Sequence, residues 1–137
     1  MTGISFVSGL VKGMAQAPAI AAEDIDIMFA TNVTGLIHMT QAVLGVFKKR
    51  PNGGSGDIIN IGSIAGRESY AGGSIYCATK AAVRSFTDSL RRELIGTRIR
   101  VIEIDPGQVE TVGSFTSTRD IGIAKQSAGV LGGKILR

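Results

Sequence analysis

Asp57-Ile58-Ile59-Asn60-Ile61-Gly62 is the stretch on which the fold turns. Its isoleucines, bounded by Gly56 and Gly62, read as a short buried strand. A second run, Arg98-Ile99-Arg100-Val101-Ile102-Glu103-Ile104, reads the same way and is stopped by Asp105-Pro106-Gly107. Helical periodicity lies before and between them. Ile25, Met28, Phe29, Val33, Leu36, Ile37, Val43, Leu44 and Phe47 keep close to a 3.6-residue period and predict a helix from Glu23 to Arg50. Glu23, Asp24 and Asp26 at its start and Lys48-Lys49-Arg50 at its end suit the helix dipole, and Pro51 stops it. Asn52 to Gly56 is a turn, and Ser63 to Gly73 a loop. A second helix is expected from Ser74 to Ile95, with small Ala78, Ala81 and Ala82 and an apolar face of Val83, Phe86, Leu90 and Leu94. A weaker strand is expected at Ile4 to Val7.

The order strand, helix, strand, helix, strand argues an α/β fold with a parallel sheet. If successive strands lie side by side, right-handed crossovers put both helices on one face. Parallel sheets normally bury both faces, and both clear strands are apolar on both sides. Only the tail after Thr111 is left to cover the second face, so the chain reads as half of a domain. We therefore expect one partial domain over 1–111 and a divergent, poorly ordered tail over 112–137.

Composition narrows the class. At 137 residues the chain has room for one domain. It is 44% hydrophobic and 19% charged, which excludes a low-complexity disordered chain. The 19 glycines come with 3 prolines and no triplet period, so a collagen-like reading fails. One cysteine cannot form an internal disulfide, which points to a reducing compartment and a cytoplasmic protein. A net charge of +4 identifies no polyanion, and no nucleic-acid module signature is present. The most apolar helix-like stretch, Gly35 to Phe47, is too short to span a bilayer, so no membrane partner is expected. His38, the only histidine, has no Cys or acidic partner at ligand spacing, so no metal is expected.

Tyr76-Cys77-Ala78-Thr79-Lys80 opens the second helix. Tyr76 and Lys80 are four apart and share a helical face. A phenol is a poor base at neutral pH, and a nearby ammonium favours its ionised form, so the pair could accept a proton. Most such pairs are ordinary surface residues. Ser63 follows directly on the C-terminal end of a strand, where open α/β sheets bind ligands. Asn32 sits inside the first helix, where an amide ordinarily faces solvent or bonds back to the helix.

Together, Asn32, Ser63, Tyr76 and Lys80 resemble the catalytic tetrad of the short-chain dehydrogenases/reductases. Ser63 and Tyr76 are 13 positions apart, a spacing that family commonly uses. Tyr76 to Lys80 matches its YxxxK motif, and Pro106-Gly107-Gln108-Val109-Glu110-Thr111 its PGxVxT turn. The run Gly62 to Thr111 looks most like the NADP-dependent branch acting on serine and other 3-hydroxy acids. The resemblance implies a doubly wound, Rossmann-like sheet. It also implies hydride transfer between NADP, or NAD, and a small hydroxy-acid or alcohol substrate. Tyr76 would move the hydroxyl proton, and Lys80 would tune Tyr76 and hold the cofactor ribose. Ser63 would hold the substrate oxygen, and Asn32 a relay water. Gly9, Pro106, Gly107, Val109 and Thr111 would complete the nicotinamide end of the cofactor site. The two long helices imply a homo-oligomer.

The family's glycine-rich phosphate turn has no good counterpart. Thr2 to Gly9 imitates it but has Val7 where a glycine is needed for close phosphate approach. Phe6-Val7-Ser8-Gly9 aligns better with the family's NNAG turn, with only Gly9 kept. The expectation is a chain that carries the tetrad but lacks the first βαβ half and the usual C-terminal part. The rival expectation is an inactive fragment that pairs with full-length subunits.

Overall fold

Because side chains alternate along a strand, β2 (Ser55–Ile61) and β3 (Arg98–Ile104) each present one set of residues to the helices and another away from them. The strands pair in parallel, with Ile58 opposite Val101 and Asn60 opposite Glu103. β1 (Ile4–Val7) pairs in parallel with the other side of β2, so the order is β1-β2-β3. This computed structural model describes residues 4–7, 9–12 and 15–107. Val109, Thr111 and the expected tail over 112–137 lie outside the described residues.

The first helix is continuous from Ala22 to Phe47 but is not α-helical throughout. It runs as α1 (Ala22–Phe29), a π-helical segment Ala30–Gly35 and α2 (Leu36–Phe47). Arg50 was expected inside it. Instead its guanidinium lies over the Phe47 ring, 4.5 Å from the centroid, and donates to the Ser55 carbonyl at 2.8 Å. The chain thereby turns straight into β2. α3 (Ser74–Glu93) ends slightly before the expected Ile95, because Gly96 takes a left-handed φ of 88° and the Thr97 hydroxyl donates to the Leu94 carbonyl.

Both helices pack on one face of the sheet, as right-handed crossovers require. Ile58 and Ile99 meet Phe47 from α2 and Leu90 and Leu94 beside them, with Val43, Leu44, Phe86 and Val101 at the margin. Asn60 is buried among these elements, and its amide donates to the Thr87 hydroxyl at 2.9 Å, which in turn donates to the Val83 carbonyl. The opposite face carries the register pair Asp57 and Arg100, held by two hydrogen bonds of 2.6 and 2.8 Å. Ile102 and Ile104 on that face are 37% and 46% exposed.

The membrane expectation needs correction in one respect. The 26-residue helix Ala22–Phe47 is long and apolar enough, by length and composition, to cross a bilayer. The expected stretch Gly35 to Phe47 covers only the C-terminal half of this helix. In the fold, Met28, Asn32, Leu36, Thr40 and Phe47 are buried against the rest of the protein.

Candidate functional site

Asn32 neither faces solvent nor bonds back to its own helix. It is 1% exposed within the π-helical segment, and its amide reads the backbone of the segment that follows β1. Its Oδ1 accepts from the Leu10 N–H at 2.6 Å, and its Nδ2 donates to the Leu10 carbonyl at 2.7 Å. Nδ2 also donates to the Thr79 hydroxyl of α3 at 3.1 Å. A π turn carries an extra residue per turn and is over-represented at functional sites. Here it sets an amide between two other elements.

Lys80 stands next to this cluster. It is 3% exposed, and its Nζ donates to the Ile61 carbonyl at the end of β2, at 2.9 Å. The same nitrogen lies 5.8 Å from the centroid of the Tyr76 ring, which is half-buried one helical turn earlier. Gly9 closes the far side. A Cβ there would stand 2.6 Å from Lys80 Nζ and 3.1 Å from Asn32 Oδ1, so a larger residue would push the lysine tip from its place.

Ser63 follows β2 in extended backbone, two residues after the Lys80-bonded carbonyl. Its Oγ accepts from the Ala65 N–H at 3.2 Å, which leaves its hydroxyl proton free to donate elsewhere. The loop is tied to the end of β3 by Gly62 N–H to the Ile104 carbonyl (2.8 Å) and Ile64 N–H to the Pro106 carbonyl (3.2 Å). The Arg67–Asp105 ion pair adds a third link at 2.8 Å. Gly66 rests on α3, where a Cβ would meet the Lys80 carbonyl oxygen at 2.8 Å. Gly107 follows Pro106, with Ile64 Cδ1 as its nearest side-chain neighbour.

Charge is unevenly relieved in this region. Burial lowers the Lys80 pKa from its ordinary value, and the Asp105 and Glu103 carboxylates oppose that shift. Burial raises the Glu103 pKa, and Asp105 raises it further. Among the described residues, Glu103 Oε1 and Asn60 Oδ1 are buried acceptors without a donor. No group of three or more His, Cys, Asp or Glu side chains is placed to hold a metal among those residues.

The structure therefore brings Gly9, Asn32, Tyr76 and Lys80 together and sets Ser63, Pro106 and Gly107 at the adjoining strand ends. A family model described as short chain dehydrogenase matches residues 4–121. The chain belongs to the short-chain dehydrogenase family. Among its relatives, the NADP-dependent 3-hydroxy acid dehydrogenase of Schizosaccharomyces pombe is 51% identical over 104 residues, 76% of this chain and 39% of the relative. The serine 3-dehydrogenase of Agrobacterium fabrum is 39% identical over 112 residues, 82% of this chain and 43% of the relative. A crystal structure of serine dehydrogenase from Escherichia coli superposes with a TM-score of 0.73 at 43% identity, covering 91% of this chain and 56% of that one. A closed form of serine dehydrogenase complexed with NADP+ gives 0.76 at 42%, covering 92% and 50%. The short-chain dehydrogenase chain thus spans about two-fifths of the length of the curated relatives it matches, as a partial Rossmann-like α/β sheet.

Sequence reasoning missed four members of this region. Thr79 is fully buried and joins Asn32 to α3; its signal was a β-branched hydroxyl inside a helix, three residues after Tyr76. Gly66 and Arg67 fall in the expected loop Ser63 to Gly73, and Asp105 in the stop after the last strand. Their partners are distant in sequence, so no local pattern carries the pairing.

Proposed function

We propose that this short-chain dehydrogenase takes part in NADP-dependent oxidation of a small 3-hydroxy acid such as serine. The arrangement of Gly9, Asn32, Tyr76 and Lys80 at the C-terminal ends of parallel strands carries this reading, because ligands of open α/β sheets bind there. Relatives named for NADP-dependent 3-hydroxy acid and serine oxidation support the cofactor and substrate class.

The donor set suits the nicotinamide-ribose end of such a cofactor. Lys80 has three N–H donors, one of which is given to the Ile61 carbonyl, so two remain for ribose hydroxyls. Gly9, Pro106 and Gly107 offer backbone without bulk beside it. When bound, the nicotinamide ring supplies the acceptor for the hydride leaving the carbinol carbon. The chain's own residues handle the proton. Ser63 directs its free hydroxyl proton at the substrate oxygen, and Tyr76 Oη takes the proton from that oxygen as the carbonyl forms. Lys80 places its positive charge beside the tyrosine ring, and Asn32 holds the backbone at Leu10 against this corner. Val109 and Thr111 are assigned to the same end of the cofactor from the motif alone.

The exposed apolar residues Phe29, Met39 and Val46 along α1 and α2 support self-association through the long helices in a cytoplasmic homo-oligomer. A second reading, an inactive module that pairs with full-length subunits, is favoured by the exposure of Ile102 and Ile104 on the face opposite the two helices. Calorimetric titration of the folded chain with NADPH, followed by a screen of 3-hydroxy acids for NADPH production, separates the two. Saturable binding with turnover supports the dehydrogenase reading. A folded chain that ignores NADPH but co-purifies with an intact relative, adding no turnover, overturns it.

A further inference from the structure

We propose that Thr79 is a positioning residue: its hydroxyl fixes the Asn32 amide and so clamps the π-helical segment to the turn of α3 carrying Tyr76 and Lys80. The argument is one of donor and acceptor direction. The Thr79 hydroxyl has a single proton, and it is given to the Tyr76 carbonyl at 2.8 Å. Toward Asn32 it can therefore only accept. That requires the nitrogen of the amide, not its oxygen, to face Thr79, as it does at 3.1 Å.

The second proton of Nδ2 then falls on the Leu10 carbonyl, and Oδ1 on the Leu10 N–H. Rotating the amide by half a turn would oppose acceptor to acceptor twice and donor to donor once. The polarity of the chain Leu10, Asn32, Thr79, Tyr76 is thus fixed by one hydroxyl that is 0% exposed. Valine has almost the same shape as threonine but neither donates nor accepts, while serine keeps both functions. Thr79→Val and Thr79→Ser therefore separate the hydroxyl from its bulk.

The kinetic consequence rests on the proposed dehydrogenase reading, but the clamp itself is readable without turnover. In the uniformly 15N-labelled chain, the side-chain amide of Asn32, assigned by loss of its signal in Asn32→Asp, is compared with that of exposed Asn52. The expected result is slow solvent exchange at Asn32 in the wild type and Thr79→Ser. In Thr79→Val we expect at least about tenfold faster exchange of the proton facing position 79, the order lost with one hydrogen bond. Where the wild type turns over, Thr79→Val should lower kcat by about tenfold with KM for NADP within about twofold, and Thr79→Ser should restore it. Asn32 exchange as fast as that of Asn52 in the wild type overturns the proposal even if Thr79→Val fails to fold. So does a folded Thr79→Val with unchanged exchange, or a Thr79→Ser that behaves like it. Loss of turnover in every variant, wild type included, with the exchange pattern intact, refutes the dehydrogenase reading and leaves the clamp standing.

Discussion

The two faces of the sheet are built from alternate residues of the same two strands, yet they live in different surroundings. Ile58 and Ile99 are buried beneath Phe47, Leu90 and Leu94. On the other face, Ile102 and Ile104 meet solvent and Asp57 pairs with Arg100. The comparison teaches that strand composition alone does not set burial; what sets it is which face the crossover helices reach. It also locates the stability of the described residues on one side.

The sharpest way to break this comparison is to truncate each face in turn. Leu90→Ala should cost about 2–5 kcal/mol in urea unfolding, since it opens a hole in the packed face. A cost under about 1 kcal/mol would mean that this face is not close-packed. Next in size is Gly66→Ala, whose methyl would press on the Lys80 carbonyl; we expect a loss of about 1–3 kcal/mol and changed amide resonances at Ser63 and Lys80.

Glu103 probes the charged margin of the packed face. Its folded pKa is raised, chiefly by burial, so the stability tied to its protonated form is fully present below the ordinary carboxylate range. That stability is lost as pH rises through the raised value. Glu103→Gln should flatten this part of the stability-against-pH curve and lower the Lys80 pKa further, because a carboxylate that supports the ammonium is gone. An unchanged curve would place the titration elsewhere. Gly45→Ala, on the outer surface of α2 with nothing within 4 Å of the added methyl, should stabilise by about 0.5–1 kcal/mol. Smallest of all, Ile102→Ser on the face opposite the two helices should change unfolding free energy by no more than about 0.5 kcal/mol while reducing association seen by light scattering.

Much of the fold could be read from the chain. Arg98 to Ile104 and Ile4 to Val7 are strands over the same residues that their composition indicated, and the one-sided helix packing follows from crossover handedness. What could not be read is where long-range polar partners meet. Asn32 and Thr40 are buried on the inward side of the first helix, so a count of apolar residues passes over two of its inward positions. Likewise Asp57 looked like the edge of a strand, and only the register with β3 brings Arg100 across from it. Asn32, Tyr76 and Lys80 could be picked out by motif spacing, whereas Thr79 and Gly66 become visible only when the helix and loop backbones are set against each other.

The π-helical segment also has a meaning in chain length. In an α-helix each residue turns the axis by about 100°. Removing one residue from Ala30–Gly35 would let α1 and α2 fuse into a regular helix, still fully hydrogen-bonded and with both ends facing as before, because the wider π turn already absorbs that residue. Asp24, which holds Lys12 at 3.0 Å, and Met28, which is buried, would keep their facing, and only the bulge that presents the Asn32 amide would be lost. The corner around Asn32 is thus encoded by a count of residues as much as by their kinds, and a single-codon deletion could erase it while leaving every named side chain in place.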